Sequence, residues 1–269
     1  VVATALSSVK SLVPFAHIEA GVRSWNMAMP EEVNRKIADH VAQLLFTHSE
    51  LATVNVLAEG VSGNVIQTGN TIIDALKKAM LSVERYGARI VEEIGESIDN
   101  PFILATVHRQ ENTDNMQRLA SIVKALVKLA AKYIVIVPIH PRTHRRLAEY
   151  GLMKKLKACR NIKLLKPLGY FEFLYLLKRT QVVLTDSGGV QLEAFTLHIP
   201  TITMRNSTEW PETIILGCNV LAGTNTEKII EYTIKMIEIR KHIRKKLNNA
   251  PNPYGNGKAG EKIINVLLN

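Results

Sequence analysis

The stretch Gln181-Val182-Val183-Leu184-Thr185-Asp186-Ser187-Gly188-Gly189-Val190-Gln191-Leu192-Glu193-Ala194-Phe195 decides the fold. Its β-branched apolar run predicts a buried strand, the residues after Gly189 predict a helix, and the paired glycines join the two directly. Such a turn aims backbone N–H groups and the positive end of a helix dipole at one point, which suits a phosphate. Glu193 lies four residues beyond Gly189, one turn into the helix, where a carboxylate can accept hydrogen bonds from ribose hydroxyls. An ordinary βα turn has the same local pattern, so the rest of the chain must decide between the two.

The same alternation runs outward from this turn. Strands are predicted at 102–107, 134–139, 162–165, 182–185, 201–204 and 219–221, with helices between them. This implies a doubly wound parallel sheet whose ligand crevice lies beyond the carboxyl ends of the strands. His108, His140, Ser187 and Arg205 fall at those ends. His140 either faces a ligand or caps the Pro141-Arg142 turn.

Nearer the amino terminus, Pro14–Glu19, Leu45–His48 and Asn64–Gln67 read as three more strands, with a helix from 50 to 59. Glu19 stands at a strand end, where it is either a functional carboxylate or a partner of Arg23. Pro30-Glu31-Glu32 opens a helix with proline in its first turn, and dipole compensation alone would account for either glutamate. Arg35 and Asp39, four apart on that helix, are expected to form an exposed pair. A further helix begins at Gly69 and runs into the polar stretch 92–100, which marks a domain boundary. A long basic amphipathic helix over 227–247, a turn-rich break at Asn252-Pro253-Tyr254-Gly255-Asn256-Gly257 and a short helix over 259–268 close the chain. The fold class is therefore α/β: an incomplete Rossmann-like domain over 1–92, a complete one over 93–250, and a segment over 251–269 that returns to the first.

The 269 residues are 46% hydrophobic and 22% charged, as in soluble globular proteins. No apolar run is long enough to span a bilayer and no signal peptide is visible, so a cytoplasmic protein without membrane partners is expected. The net charge of +10 sits on basic runs interleaved with apolar residues, and aromatics are only 6%. That pattern predicts an anionic small substrate rather than a nucleic acid. Cys159 and Cys218 lack metal-like spacing, so no disulfide framework is expected. Val1 to Leu12 reads as an interrupted helix, whose uncapped start suggests sequence ahead of it.

Glu19, Glu31, His108 and the Ser187-Gly188-Gly189 turn together suit proton transfer on a substrate whose leaving group is a phosphate. At this level the chain resembles the non-hydrolysing UDP-N-acetylglucosamine 2-epimerases. The resemblance is carried by His17-Ile18-Glu19-Ala20-Gly21-Val22-Arg23-Ser24, Pro30-Glu31-Glu32-Val33-Asn34-Arg35, Gly69-Asn70-Thr71-Ile72-Ile73-Asp74-Ala75-Leu76, Thr106-Val107-His108-Arg109-Gln110-Glu111-Asn112, His140-Pro141-Arg142, Thr185 to Ala194, and Asn252 to Gly257. These span essentially the whole chain in the family's order.

The resemblance implies two Rossmann-like domains in the GT-B arrangement, with part of the first lying ahead of Val1. It implies interconversion of UDP-GlcNAc and UDP-ManNAc by elimination of UDP to 2-acetamidoglucal and re-addition, with no metal or redox cofactor. It assigns acid/base roles to Glu19 and Glu31, the diphosphate to His108, Ser187, Gly188 and Gly189, the ribose to Glu193 and the uracil to Phe173. Arg109 and Arg205 are further UDP contacts; Arg205 would compensate for Trp210, which stands where some bacterial members carry arginine. A further catalytic aspartate of the family would precede Val1, so this chain is expected to be catalytically weak or dead. A cytoplasmic homodimer in polysaccharide biosynthesis is also implied. The alternatives are a 2-epimerase of UDP-diacetamido sugars, a glycosyltransferase of the same fold, and a UDP-sugar-binding module without turnover. Deuterium uptake at C2 separates epimerases from the last two.

Overall fold

The computed structural model describes residues 1–268, except for the side chains of residues 88, 89, 91, 94, 96 and 97. Its chain divides into two units, one formed by Val1–Lys77 with Pro251–Asn269, the other by Lys78–Ala250.

In the first unit, β1 (Ala16–Ala20), β2 (Leu44–Thr47) and β3 (Asn64–Gln67) form a parallel sheet in that order. In the second, the strands are β4 (Phe102–Thr106), β5 (Ile134–Pro138), β6 (Ile162–Leu165), β7 (Val182–Thr185), β8 (Thr201–Thr203) and β9 (Asn219–Leu221). They form one parallel sheet in the order β6-β5-β4-β7-β8-β9. This is the Rossmann order, and it reverses direction between β4 and β7. Val182–Thr185 is buried along its whole length, consistent with a central parallel strand covered on both faces. The crossovers on either side of β4 and β7 leave in opposite directions, so a crevice opens at their carboxyl ends. Thr106 pairs with Thr185 there, and the two hydroxyls are 2.9 Å apart.

Three expectations need correction. The long basic helix is two, Thr226–Glu238 and Arg240–Asn248, broken at Ile239. The first buries Ile229, Thr233 and Met236, and at the break Arg240 is partly buried and donates to the Gln181 side-chain carbonyl at 3.2 Å. The second buries Ile243 and Leu247, so the apolar period carries on through the break.

The helix predicted from Gly69 to the polar stretch is likewise interrupted. It runs Thr71–Met80, and a short 3-10 turn at Val83–Tyr86 precedes the helix Gly87–Ile94.

The division between units falls after Lys77 rather than at 92. The segment from Val83 is held within the second unit: Tyr86 stacks on Phe171 at 4.6 Å, and Glu84 pairs with Lys178 at 2.9 Å and Arg179 at 2.6 Å. Tyr175 also lies so close to Gly87 that a Cβ there would stand 2.2 Å from its ring.

The closing segment is anchored in the first unit. The helix Ala259–Leu268 begins with Ala259 and Gly260 donating their backbone N–H groups to the Asp74 carboxylate, at 3.1 and 2.7 Å. Lys77 donates to the Asn256 carbonyl at 2.6 Å.

Candidate active site

The turn after β7 is organised by a carboxylate that never reaches solvent. Asp186 is fully buried and accepts hydrogen bonds from the backbone N–H of His108 at 3.0 Å, from that of Arg109 at 3.0 Å and from the Asn112 amide at 3.1 Å. It therefore ties the loop after β4 to the end of β7 across the point where strand order reverses. Ser187 then caps the helix Gly188–Thr196, its hydroxyl accepting from Val190 N at 3.5 Å. Beyond it, a Cβ on Gly189 would meet nothing within 4 Å, so the chain leaves open space in front of the helix amino terminus.

A cleft of about 380 Å³ opens at this place, lined by residues including His108, His140, Tyr170, Phe173, Ser187, Gly189 and Glu193. His108 is half-buried, with Nδ1 3.4 Å from Asp186 Oδ1. Burial holds its pKa below the usual range; Arg109, His140 and Arg142 add to this and Asp186 opposes it. The His140 ring lies 5.7 Å from that of His108, and its Nδ1 accepts the backbone N–H of Arg142 at 3.2 Å. His140 thus caps the helix Pro141–Glu149 and also lines the cleft.

Glu193 is 8% exposed. Burial pushes its pKa from 4.5 up to about 7, while a hydrogen bond with the Tyr170 hydroxyl pulls the other way. Burial together with the Glu193 carboxylate raises the Tyr170 pKa in turn.

The structure brings together His108, Ser187, Gly189, Glu193 and Phe173, while Gly188 and Arg109 stand beside the cleft rather than in its wall. The Trp210 indole N–H donates to the Gly188 carbonyl at 2.8 Å. An Arg109 guanidinium nitrogen comes within 3.9 Å of where a Cβ on Gly188 would lie.

Arg205 is elsewhere engaged. Buried to 4% exposure, it is bidentate to Glu209 at 2.9 and 3.0 Å and reaches Glu111 at 3.2 Å. Burial opposes its charge, but these carboxylates outweigh that and raise its pKa. In this arrangement its charge is matched by Glu209 and Glu111 rather than presented to the cleft.

In the first unit, Glu19 stands at the end of β1 in a left-handed backbone conformation, φ +65°, where the register with β2 slips between Ile18 and Ala20. It is half-buried, and its carboxylate accepts the Asn70 amide N–H at 2.8 Å. Arg23 is not its partner. That guanidinium, 3% exposed, is bound by Asp39 at 2.7 Å and Glu59 at 2.6 Å.

The expected exposed pair of Arg35 and Asp39 is absent for the same reason. Asp39 is fully buried and also takes His17 at 2.6 Å and the Gly21 N–H at 3.1 Å. The two glutamates opening the next helix also separate. Glu32 is buried and accepts from the Ser24 N–H and hydroxyl and from the Trp25 N–H, whereas Glu31 is exposed.

Asp186, Asn112, Tyr170 and Asn70 escaped the sequence reading as individual residues. All but Tyr170 sit inside the quoted motifs, which was the only available signal.

Residues 1–268 match the family described as UDP-N-acetylglucosamine 2-epimerase. A UDP-N-acetylglucosamine 2-epimerase of Methanocaldococcus jannaschii is 43% identical over 99% of this chain and 72% of its own length. A UDP-2,3-diacetamido-2,3-dideoxy-D-glucuronate 2-epimerase of Pseudomonas aeruginosa is 39% identical over 98% of this chain and 71% of its own. The crystal structure of the M. jannaschii UDP-GlcNAc 2-epimerase in complex with UDP-GlcNAc and UDP superposes with a TM-score of 0.89 at 41% identity, covering 99% of this chain and 72% of that one.

Proposed function

Because the chain belongs to the UDP-N-acetylglucosamine 2-epimerase family, we propose that it interconverts UDP-GlcNAc and UDP-ManNAc by inverting C2 of the sugar. The hydrogen on C2 is not acidic, so removal of the proton must be coupled to departure of UDP. A base takes the C2 proton, the C–H electron pair becomes the C1=C2 bond of 2-acetamidoglucal, and the C1–O bond breaks with its pair on UDP. The return step delivers a proton to the opposite face of C2 as UDP adds to C1.

In this reading the cleft at β4 and β7 holds the nucleotide. The helix amino terminus at Ser187-Gly188-Gly189 and His108 stabilise the charge that builds on the departing diphosphate. Glu193 receives the ribose hydroxyls and Phe173 flanks the uracil. Arg109 is the cation nearest the turn, and Arg205 acts by holding Glu111 and Glu209 rather than by touching phosphate. Glu19 and Glu31 act as acid and base on the two faces of the sugar. The observation that carries the reading is the convergence of a helix amino terminus, a histidine and a buried glutamate on one cleft where strand order reverses.

The test is incubation of the chain with UDP-GlcNAc in deuterium oxide. Deuterium at C2 with formation of UDP-ManNAc is expected. UDP binding without exchange would replace the reading with a binding module. A second reading keeps the nucleotide site and changes the sugar to a UDP-diacetamido uronic acid, as the P. aeruginosa relative suggests. Ranking kcat/KM over a panel of UDP-sugars decides between them. Among the described residues no helix is long and apolar enough to cross a membrane. A cytoplasmic homodimer is part of the proposal, supported by family resemblance, and sedimentation equilibrium checks the dimer.

A further inference from the structure

We propose that Asn70 is a positioning residue for Glu19, and that the turn at Tyr254-Gly255 holds Asn70 in place. The inference rests on the reading of Glu19 as an acid/base group.

Glu19 has a long side chain at a bulged strand end, and its backbone conformation is one that non-glycine residues seldom adopt. Backbone strain sets where the side chain starts but not where a carboxylate three torsions away ends. A second anchor is needed, and Asn70 supplies it through the 2.8 Å hydrogen bond from Nδ2 to Glu19 Oε1. The orientation of this amide is not arbitrary. Asn70 Oδ1 accepts the Ile72 N–H at 2.8 Å, so the donor end must face Glu19. Asn70 is 1% exposed, which leaves its side chain little room to turn.

Asn70 is in turn fixed by the far end of the chain. Its backbone N–H donates to the Tyr254 carbonyl at 2.8 Å. Gly69 (φ +96°) and Gly255 (φ +98°) meet back to back: a Cβ on Gly255 would lie 3.2 Å from Gly69 Cα, and one on Gly69 3.1 Å from the Tyr254 carbonyl oxygen. Only glycine allows both the conformation and the approach. Tyr254, fully buried, stacks on His48 at 5.6 Å. The two motifs to which the sequence assigns no chemistry, around Gly69 and around Tyr254, are therefore one support for the Glu19 carboxylate.

The test compares Asn70→Asp with Asn70→Ala. Aspartate has the same shape and keeps the acceptor for the Ile72 N–H, but it replaces the donor with a carboxylate facing Glu19. Positioning predicts that Asn70→Asp lowers kcat roughly 10- to 100-fold with little change in KM, and that the melting temperature falls because two carboxylates then face each other at a buried position. Asn70→Ala is expected to lower both kcat and melting temperature. If Asn70 merely caps the helix, Asn70→Asp keeps the parent rate and only Asn70→Ala suffers, which overturns the inference. Glu19→Gln is the control: parent-like turnover in that variant refutes the acid/base reading itself, whatever Asn70 does. An arm independent of turnover is the crystal structure of Asn70→Asp. The Glu19 carboxylate is expected to leave its present position; finding it in place overturns the inference.

Discussion

The carboxyl ends of β1 and β7 each carry residues to which the proposed reading assigns chemistry, and they are built in opposite ways. At β1 the chemistry is assigned to side chains, and the backbone bears the strain. Glu19 has φ +65°, Gly21 has φ +79°, and the charges of Arg23, Asp39 and Glu59 lock the loop beneath them. At β7 the chemistry is assigned to backbone N–H groups, and side chains do the holding. Asp186 spends its carboxylate on the facing loop, and Gly189 leaves empty space. The difference teaches that glycine serves two purposes: close approach of backbone to backbone in one turn, open space beside the backbone in the other.

The largest expected effect breaks the first turn. A Cβ on Gly21 would lie 2.1 Å from the Ala52 carbonyl oxygen, in a left-handed conformation besides. Steric displacement and the conformational penalty together put Gly21→Ala on the order of 4 kcal/mol less stable. Urea denaturation measures it, and a loss under 1 kcal/mol would mean the loop yields easily.

Second in size is Asp186→Ala. It would strand the backbone donors of His108 and Arg109 and the Asn112 amide, at a cost of about 2–4 kcal/mol. UDP affinity should fall with it, because the loop carrying His108 loses its tie to the helix amino terminus. Calorimetric titration with UDP and urea denaturation check the two halves.

These two sites also show what was legible before the structure. The six strand positions of the second unit could be read because buried parallel strands are apolar runs between turn signals, and the Ser187-Gly188-Gly189 turn could be read because its meaning is local. Asp186 could be seen but not understood, since its partners lie on the loop after another strand. Arg35 and Asp39 misled for a similar reason. Spacing of four places two residues on one helix face but does not say whether that face is wet, and Asp39 turned out to be the buried partner of His17 and Arg23. The apolar period across Ile239 suggested one helix because the buried positions Ile229, Thr233, Met236, Ile243 and Leu247 keep helical spacing through the break, so periodicity carries no sign of it. The boundary expected at 92 followed polarity, which is blind to the stacking of Tyr86 on Phe171.

Glu193 sharpens the comparison further, because its charge depends on pH near neutrality. Its pKa in the folded chain, about 7, lies above the usual 4.5. The folded state therefore binds this proton more tightly than the unfolded chain. Its contribution makes stability fall as pH rises from 4.5 to 7, the reverse of an ion-paired carboxylate. Glu193→Gln should flatten that fall. Ribose hydroxyls donate best to the ionised form, so UDP should bind more tightly as pH rises from 6 to 8, with net proton release in calorimetry. Glu193→Gln should weaken UDP binding roughly 10- to 100-fold at pH 8 and remove the pH dependence. An unchanged pH profile in that variant would move the titrating group elsewhere, with His108 the next candidate.

The smallest effect is the counterpart of the largest. Gly189→Ala makes the same chemical change as Gly21→Ala, but the new methyl group meets nothing in the protein within 4 Å. Alanine is also the better helix former, by about 1 kcal/mol in a helix interior and less in a first turn. Stability should therefore hold or rise slightly. The methyl group would instead stand in the space before the helix amino terminus, where the reading places the diphosphate, and lengthen the approach of phosphate oxygens to the N–H groups. A loss of UDP affinity of up to about tenfold, roughly 1.4 kcal/mol, is expected with no loss in urea resistance. If UDP affinity is unchanged, the phosphate does not sit against Gly189. If stability falls instead, the glycine serves the fold, and the contrast between the two turns disappears.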